Sequence, residues 1–260
     1  VLGPDSVSME GKVALVTGAA QGIGEAIALA FARFGAEVAM CDRNADGLAY
    51  VSNEIDRMGR RVVTGVLDVR ETDQVSAFVE DAVHALGQRV DVLVNNAGGG
   101  FFAPFVEVND KGQDALVREN FTSVTNFIRA CVPHMPEGAS IINVTSIEAH
   151  RAAPGYAVYS AMKAAVVSLT WTLALELGDR RIRVNCIAPD VISTPGVGDM
   201  SAVVPRMALP ILGHVDDVAG AAIYLATDLS RFVTGTTLHV DGGNAAAGGW
   251  HREVDGSWRT

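Results

Sequence analysis

The hydrophobic positions of this chain fall into short apolar runs separated by longer stretches of helical period. Val13-Ala14-Leu15-Val16 is such a run; a glycine-rich turn follows it, and the stretch from Ile23 to Phe34 then repeats its apolar residues at helical spacing. The alternation continues to the C-terminal region. Glu37 to Cys41, Val62 to Val66, Val90 to Val94, Ser140 to Val144, Arg183 to Ile187 and Thr237 to Val240 read as further strands. Between them lie helical patterns from about Ala45 to Met58, Glu71 to Leu86, Asp110 to Met135, Tyr156 to Leu177 and Asp217 to Ala226. Strands that are apolar throughout are covered on both faces, and helices joining them imply parallel neighbours with right-handed crossovers. The pattern therefore predicts an α/β fold: a doubly wound, seven-stranded parallel sheet with helices on both faces. No linker, repeat or low-complexity stretch divides it, so residues 1–260 read as a single domain. The small-residue run Ala245 to Gly249 lies in a tail, 244–260, that carries Trp250 and Trp258. Two readings of that tail stand: disorder, or docking of its indoles on a neighbouring subunit.

Composition narrows the partners. A formal charge of −10 argues against a nucleic-acid surface, which needs a basic stripe to track phosphates. Cys41, Cys131 and Cys186 are an odd, widely spaced set inside apolar segments, which suits small buried hydrophobes of a reduced compartment. No Cys/His cluster has metal-ligand spacing. The first ten residues lack a charged and apolar leader, and no apolar run reaches the length of a membrane span. The expectation is a cytoplasmic protein with no membrane, nucleic-acid or metal partner. One helical segment stands out, since Ala164 to Leu175 is apolar nearly all round and needs cover on a second side.

The turn after the first strand reads Thr17-Gly18-Ala19-Ala20-Gln21-Gly22-Ile23-Gly24. Glycines at Gly18, Gly22 and Gly24 let backbone approach a pyrophosphate closely. The N–H groups of Ala20, Gln21 and Ile23 lie where a helix N-terminus presents free donors and a positive dipole end. Asp42 ends the second strand, where a carboxylate can accept from adenosine ribose hydroxyls and repels a 2′-phosphate, which favours NAD over NADP. Arg43 admits two readings, a guanidinium that attracts that phosphate or a solvated surface charge. Gln21, uncharged within the turn, points toward NAD.

Tyr159 and Lys163 are four residues apart and share a helical face. Lys163 is one of only three lysines. An ammonium beside a phenol favours the phenolate, so a group of reference pKa about 10 is drawn toward proton exchange near neutral pH. Ser146 ends an upstream strand, and Asn120 lies in the long helix before that. Singly, each of these has a structural reading: a core tyrosine, a snorkelling lysine, a turn-forming serine, a solvent-facing asparagine, a loop-start aspartate at Asp42. Their mutually consistent positions argue for chemistry.

In combination these motifs make the chain resemble the short-chain dehydrogenase/reductase family, over about Gly11 to Gly243. Thr17 to Gly24 matches its TGxxxGxG, Asn95-Asn96-Ala97-Gly98 its NNAG and Tyr159 to Lys163 its YxxxK; Ser146 lies thirteen residues before the tyrosine. The resemblance implies a one-domain Rossmann core and a catalytic set of Asn120, Ser146, Tyr159 and Lys163. It also places Asp68 and Val69 beside the adenine and Asn96, Ala97 and Gly98 along the cofactor. Pro189, Ile192 and Thr194 fall at the nicotinamide. By the same resemblance Lys163 contacts the nicotinamide ribose, Asn120 holds a proton-relaying water, and the chain forms a homotetramer through the long helices. Asp190 departs from the family, which commonly has glycine there.

The implied activity is NAD-dependent interconversion of a secondary alcohol and a ketone. Tyr159 is the acid/base, Ser146 holds the reacting oxygen, and the small-molecule substrate is a hydroxysteroid, hydroxyacyl or other hydrophobic or cyclic alcohol. Two alternatives remain: a 3-oxoacyl-thioester reductase using NADPH, and a sensor or scaffold that binds NAD without turnover. Glu148, His150, Arg151 and Tyr156, with Phe101 and Phe102, are candidates for the substrate pocket. The segment 196–207, interrupted by Gly and Pro, reads as a lid.

Overall fold

The computed structural model describes residues 2–195 and 207–260. Its strands are β1 (Val13–Thr17), β2 (Glu37–Asp42), β3 (Val62–Val66), β4 (Val92–Asn95), β5 (Ser140–Val144), β6 (Arg183–Pro189) and β7 (Thr237–Val240). They form one seven-stranded sheet in the order β3-β2-β1-β4-β5-β6-β7, every pairing parallel. The connecting helices include α1 (Gly22–Arg33), α2 (Ala45–Arg57), α3 (Thr72–Leu86), α4 (Asp110–Val117), α5 (Ser123–Cys131), α6 (Ala157–Glu176) and α7 (Val215–Ala226).

Period-two alternation inside uniformly apolar strands explains the two layers. Ala14 and Val16 of β1 turn to one face and pack with Ile27 and Phe31 of α1, Leu48 of α2 and Leu225 of α7. Val13 and Leu15 turn to the other, against Phe78 of α3, Phe127 of α5 and Val166 of α6. The strand order reverses between β1 and β4, so the chain leaves these two neighbours in opposite directions. A crevice opens beyond their C-terminal ends, which is where open α/β sheets take their ligands.

Three expectations are corrected. The helix read from Asp110 to Met135 is broken: α4 passes into a π-helical turn over Arg118–Thr122 before α5 begins. Inside that turn Asn120 donates from Nδ2 to the carbonyl of Leu116, 3.0 Å away, and to that of Gly99 at 2.8 Å. A side chain that takes an i−4 carbonyl and reaches outward as well leaves the ladder one residue wider, and such bulges cluster at functional sites. Helix α6, 20 residues long, is by length and composition apolar enough to cross a membrane, although no apolar run was expected to qualify. Here it lies on the sheet, with Val166, Val167, Thr170 and Ala174 buried. The tail is folded: α8 (Asn244–Ala247) leads to a hairpin of β8 (His251–Arg252) and β9 (Trp258–Arg259), with Trp250 and Trp258 exposed. The lid read at 196–207 falls outside the described residues except for Met207.

Candidate active site

The glycine turn is built by its neighbours. Gly18 and Gly22 have φ of +66° and +65°, conformations open to glycine at little cost. Thr17 Oγ1 accepts from the backbone N–H groups of Asn96 and Ala97 at 3.0 and 2.9 Å, and Asn96 Nδ2 donates to the carbonyls of Thr17 and Gly18 at 3.0 Å each. The turn is thus stapled to the segment after β4. Asp42 closes its other side, accepting from Ala20 N–H at 3.1 Å and from Asn44 N–H at 3.0 Å. Arg43, mostly exposed, lies 3.6 Å from Glu119 in the π-helical turn.

Beyond this turn lies a crevice of about 380 Å³. Gly18, Gln21, Gly22 and Ile23 form its floor, with Asp42, Arg43 and Val69 at one end. Asn96, Ala97 and Gly98 line the middle. Ser146, Tyr159, Lys163, Pro189 and Thr194 gather at the far end. Glu119 and Asp190 line it too, and neither was among the expected site residues. Glu119 gave no signal beyond adjacency to Asn120, whereas Asp190 was visible as a departure from the family pattern.

Five of the expected catalytic and cofactor residues do not line the crevice, and neither do the pocket candidates Glu148, His150, Arg151, Tyr156, Phe101 and Phe102. Ala20 and Gly24 sit behind its floor. Asp68 is turned to the Arg70 guanidinium at 2.5 Å, which holds its carboxyl down at about 2. Ile192 lines a second, largely apolar cavity of about 380 Å³ on the other side of Asp190. Asn120 lies beneath Gly98, where an added Cβ would fall 2.7 Å from Asn120 Oδ1 and 3.2 Å from Lys163 Nζ. Glycine at that position is what lets the two polar groups approach the same stretch of backbone.

Helix α6 supplies the Tyr159 and Lys163 pair. Lys163 is buried, its Nζ donates to the carbonyl of Val144 at 3.0 Å and it lies 5.6 Å from the centre of the Tyr159 ring. Burial brings its pKa down from the ordinary lysine value to about 8, against the attraction of Cys186 and Glu119. Tyr159 moves the opposite way from the sequence expectation. Burial pushes its phenol up, the Ser146 hydroxyl pulls it down, and the nearby Glu148 and Tyr156 push it further up. Lys163 gives one of its N–H groups to the Val144 carbonyl, and among the protein's own groups desolvation sets the direction at Tyr159. Ser146 Oγ also accepts from Glu148 N–H at 3.1 Å, which fixes the short turn after β5. Tyr156 stands edge-on to Tyr159 with ring centres 6.3 Å apart, and Phe102 edge-on to Tyr156 at 5.8 Å, so Tyr156 flanks the phenol. Asp190 keeps an ordinary backbone: among the described residues only Gln88 and Arg181 are non-glycines with positive φ.

A doubly wound parallel sheet with a glycine turn at its switch point, facing a serine, a tyrosine and a lysine, defines an α/β oxidoreductase of Rossmann type. Comparison with known proteins agrees. A family model described as enoyl-(acyl carrier protein) reductase matches residues 18–245. The chain belongs to the short-chain dehydrogenase/reductase family, whose members act on CH–OH groups. It is 38% identical to a 3-oxoacyl-[acyl-carrier-protein] reductase of Thermotoga maritima, over 90% of this chain and 98% of that one. Among solved structures it is similar to a 7α-hydroxysteroid dehydrogenase complexed with NADH and 7-oxo glycochenodeoxycholic acid. That similarity has a TM-score of 0.88 at 33% identity, covering 94% of this chain and 98% of the other. It is similar also to a blue fluorescent protein from a metagenomic library in complex with NADPH, with a TM-score of 0.87 at 36% identity over 91% and 98% of the two chains.

Proposed function

We propose that this protein is an NAD-dependent oxidoreductase that interconverts a secondary alcohol and a ketone, working in the direction of oxidation on a hydroxysteroid, hydroxyacyl or other hydrophobic or cyclic alcohol. The observation that carries this reading is the convergence of Ser146, Tyr159 and Lys163 with the glycine turn on one crevice. A nicotinamide, when bound, supplies the hydride acceptor or donor. The chain's residues would do the rest. The N–H groups at the start of α1 and the stapled turn cradle a pyrophosphate, and Asp42 faces the adenosine end. Tyr159 exchanges the proton of the substrate hydroxyl, Ser146 holds the reacting oxygen against it, and Lys163 holds the ribose side of the cofactor beside the phenol. Asn120, bonded to the backbone at Gly99 through both its amide atoms, keeps that wall in place.

NAD is favoured over NADP because the Asp42 carboxylate occupies the end of β2 and the neighbouring Arg43 guanidinium is drawn to Glu119. Asp42→Ala should lower kcat/KM with NAD by about 10- to 100-fold, the worth of hydrogen bonds to a charged acceptor, and raise it with NADP. Initial rates with both coenzymes check this. A wild-type preference for NADP would overturn it and would favour the second reading, a 3-oxoacyl-thioester reductase, which the Thermotoga maritima relative supports.

The homotetramer is part of the same proposal. Helix α6 buries one side on the sheet and leaves Trp171 and Leu175 exposed, an apolar outer face that a second subunit would cover. Sedimentation at micromolar protein should show a tetramer, and a monomer there would exclude it.

A further inference from the structure

At the substrate end of the crevice, beyond Tyr159, a chain of charged side chains ties three segments together. Asp190, at the end of β6, has a side chain only 6% exposed. Its Oδ2 accepts from Asn244 Nδ2 of α8 at 2.6 Å, and its Oδ1 lies 3.9 Å from Arg151 Nη2. Arg151 in turn donates to Glu148 Oε1 at 2.9 Å. Asp241, which caps α8 through the N–H groups of Gly243 and Ala245, also lies within reach of the Arg151 charge.

We infer that Asp190, acting through Arg151 and Glu148, makes the site selective for alcohols and ketones that bear no negative charge near the reacting carbon. The inference rests on the oxidoreductase reading above and narrows its substrate class. A lone guanidinium beside a reacting centre would be an anchor for a carboxylate or phosphate. Here Glu148 at 2.9 Å and Asp190 at 3.9 Å flank the Arg151 guanidinium, and with the more distant Asp241 the local balance is negative. The cations that line the crevice, among the described residues, are Arg43 at its opposite end and the buried Lys163, while Arg151 stands behind Asp190. His150, near the same segment, is held below its usual range by burial and by His239, so it adds no charge at neutral pH. An independent feature points to the same class of ligand. The edge-on series Phe102, Tyr156 and Tyr159 leads from the surface to the phenol and offers an apolar ring an aromatic wall. Asp190 is a positioning residue in this account: it holds Arg151, which holds Glu148 beside Tyr159.

The test compares 3-hydroxycyclohexanecarboxylate with its methyl ester, a pair alike in ring and carbinol but different in charge, at low and high ionic strength. With wild type, kcat/KM for the ester should exceed that for the acid by about tenfold or more at low salt, and the ratio should shrink as salt screens the field. Asp190→Asn keeps a partner for Asn244 and removes one charge, and Glu148→Gln removes another. Each should narrow the ratio by about threefold or more by raising the rate on the acid, a readout that a merely structural role would not move. The second variant stands if the first does not fold. Equal use of both probes by wild type, preference for the acid, or a ratio unchanged in both variants would overturn the inference alone. A wild type inert toward both probes and toward every neutral secondary alcohol would remove the oxidoreductase reading and this inference with it.

Discussion

Tyr159→Phe should leave a folded protein that binds NADH while turnover of any alcohol substrate falls by about 10²- to 10⁴-fold, the range that one positioned acid/base group contributes. Phenylalanine fills the same space, keeps the edge-on contact with Tyr156 and loses one oxygen, so packing in α6 is undisturbed. Coenzyme affinity, read by NADH fluorescence, should change little, because the glycine turn and Asp42 lie elsewhere in the crevice. The direction of the Tyr159 shift adds a pH signature. Burial and the Glu148 carboxylate raise the phenol, so its base form, the one alcohol oxidation needs, grows as pH rises. Oxidation by wild type should therefore climb from neutral into alkaline pH, and ketone reduction should fall over the same span as the acid form is lost. Positive charge on an oxidised nicotinamide would shift the climb to lower pH without changing its sign. Near-normal rates in Tyr159→Phe would mean that another group moves the proton.

Much of this site was legible in the sequence because each part depends on near neighbours in the chain. Strand limits followed from apolar runs, so Val62–Val66, Ser140–Val144 and Thr237–Val240 fall where the pattern put them. The Tyr159 and Lys163 pair followed from helical spacing. What spacing could not supply was the tertiary balance at each group. The amphipathic pattern from Asp110 to Met135 runs on through the π-helical turn, because the extra residue is absorbed by Asn120 reaching the Gly99 backbone, 21 positions away. The direction that the protein's own groups set at Tyr159 has a similar cause. Its lysine neighbour was visible in the sequence, but the Val144 carbonyl that engages that lysine and the depth of burial were not. Asp190 was visible as an oddity, and only the fold shows Arg151 and Asn244 beside it.

The second large effect belongs to Gly24, a residue that does not itself line the crevice but packs behind Gly18 and Asn96, which do. An added Cβ there would lie 2.1 Å from the Gly18 carbonyl oxygen, 2.8 Å from its carbon and 2.5 Å from Asn96 Nδ2. Two of these atoms are backbone and the third is the side chain that staples the turn to the segment after β4, so no flexible group can give way. Gly24→Ala must move α1 off the turn or break the two bonds from Asn96. Overpacking of this kind costs about 1–3 kcal/mol, and a lost buried hydrogen bond adds about another 1–3. In a chain of this size each kcal/mol lowers Tm by about 2–4 °C, so a drop of about 4–24 °C is expected. The same displacement spoils the row of N–H groups aimed at a pyrophosphate, and NADH affinity should fall by about 100-fold or more. Gly59→Ala is the matched control. Gly59 has φ of +74° and nothing within 4 Å of an added Cβ, so it carries only the backbone penalty, about 1 kcal/mol, with coenzyme affinity retained. Calorimetry and NADH titration of the two variants separate close packing from conformational strain. Equal losses of affinity in both would show that the tight fit of Gly24 against Gly18 has no special part in building the turn.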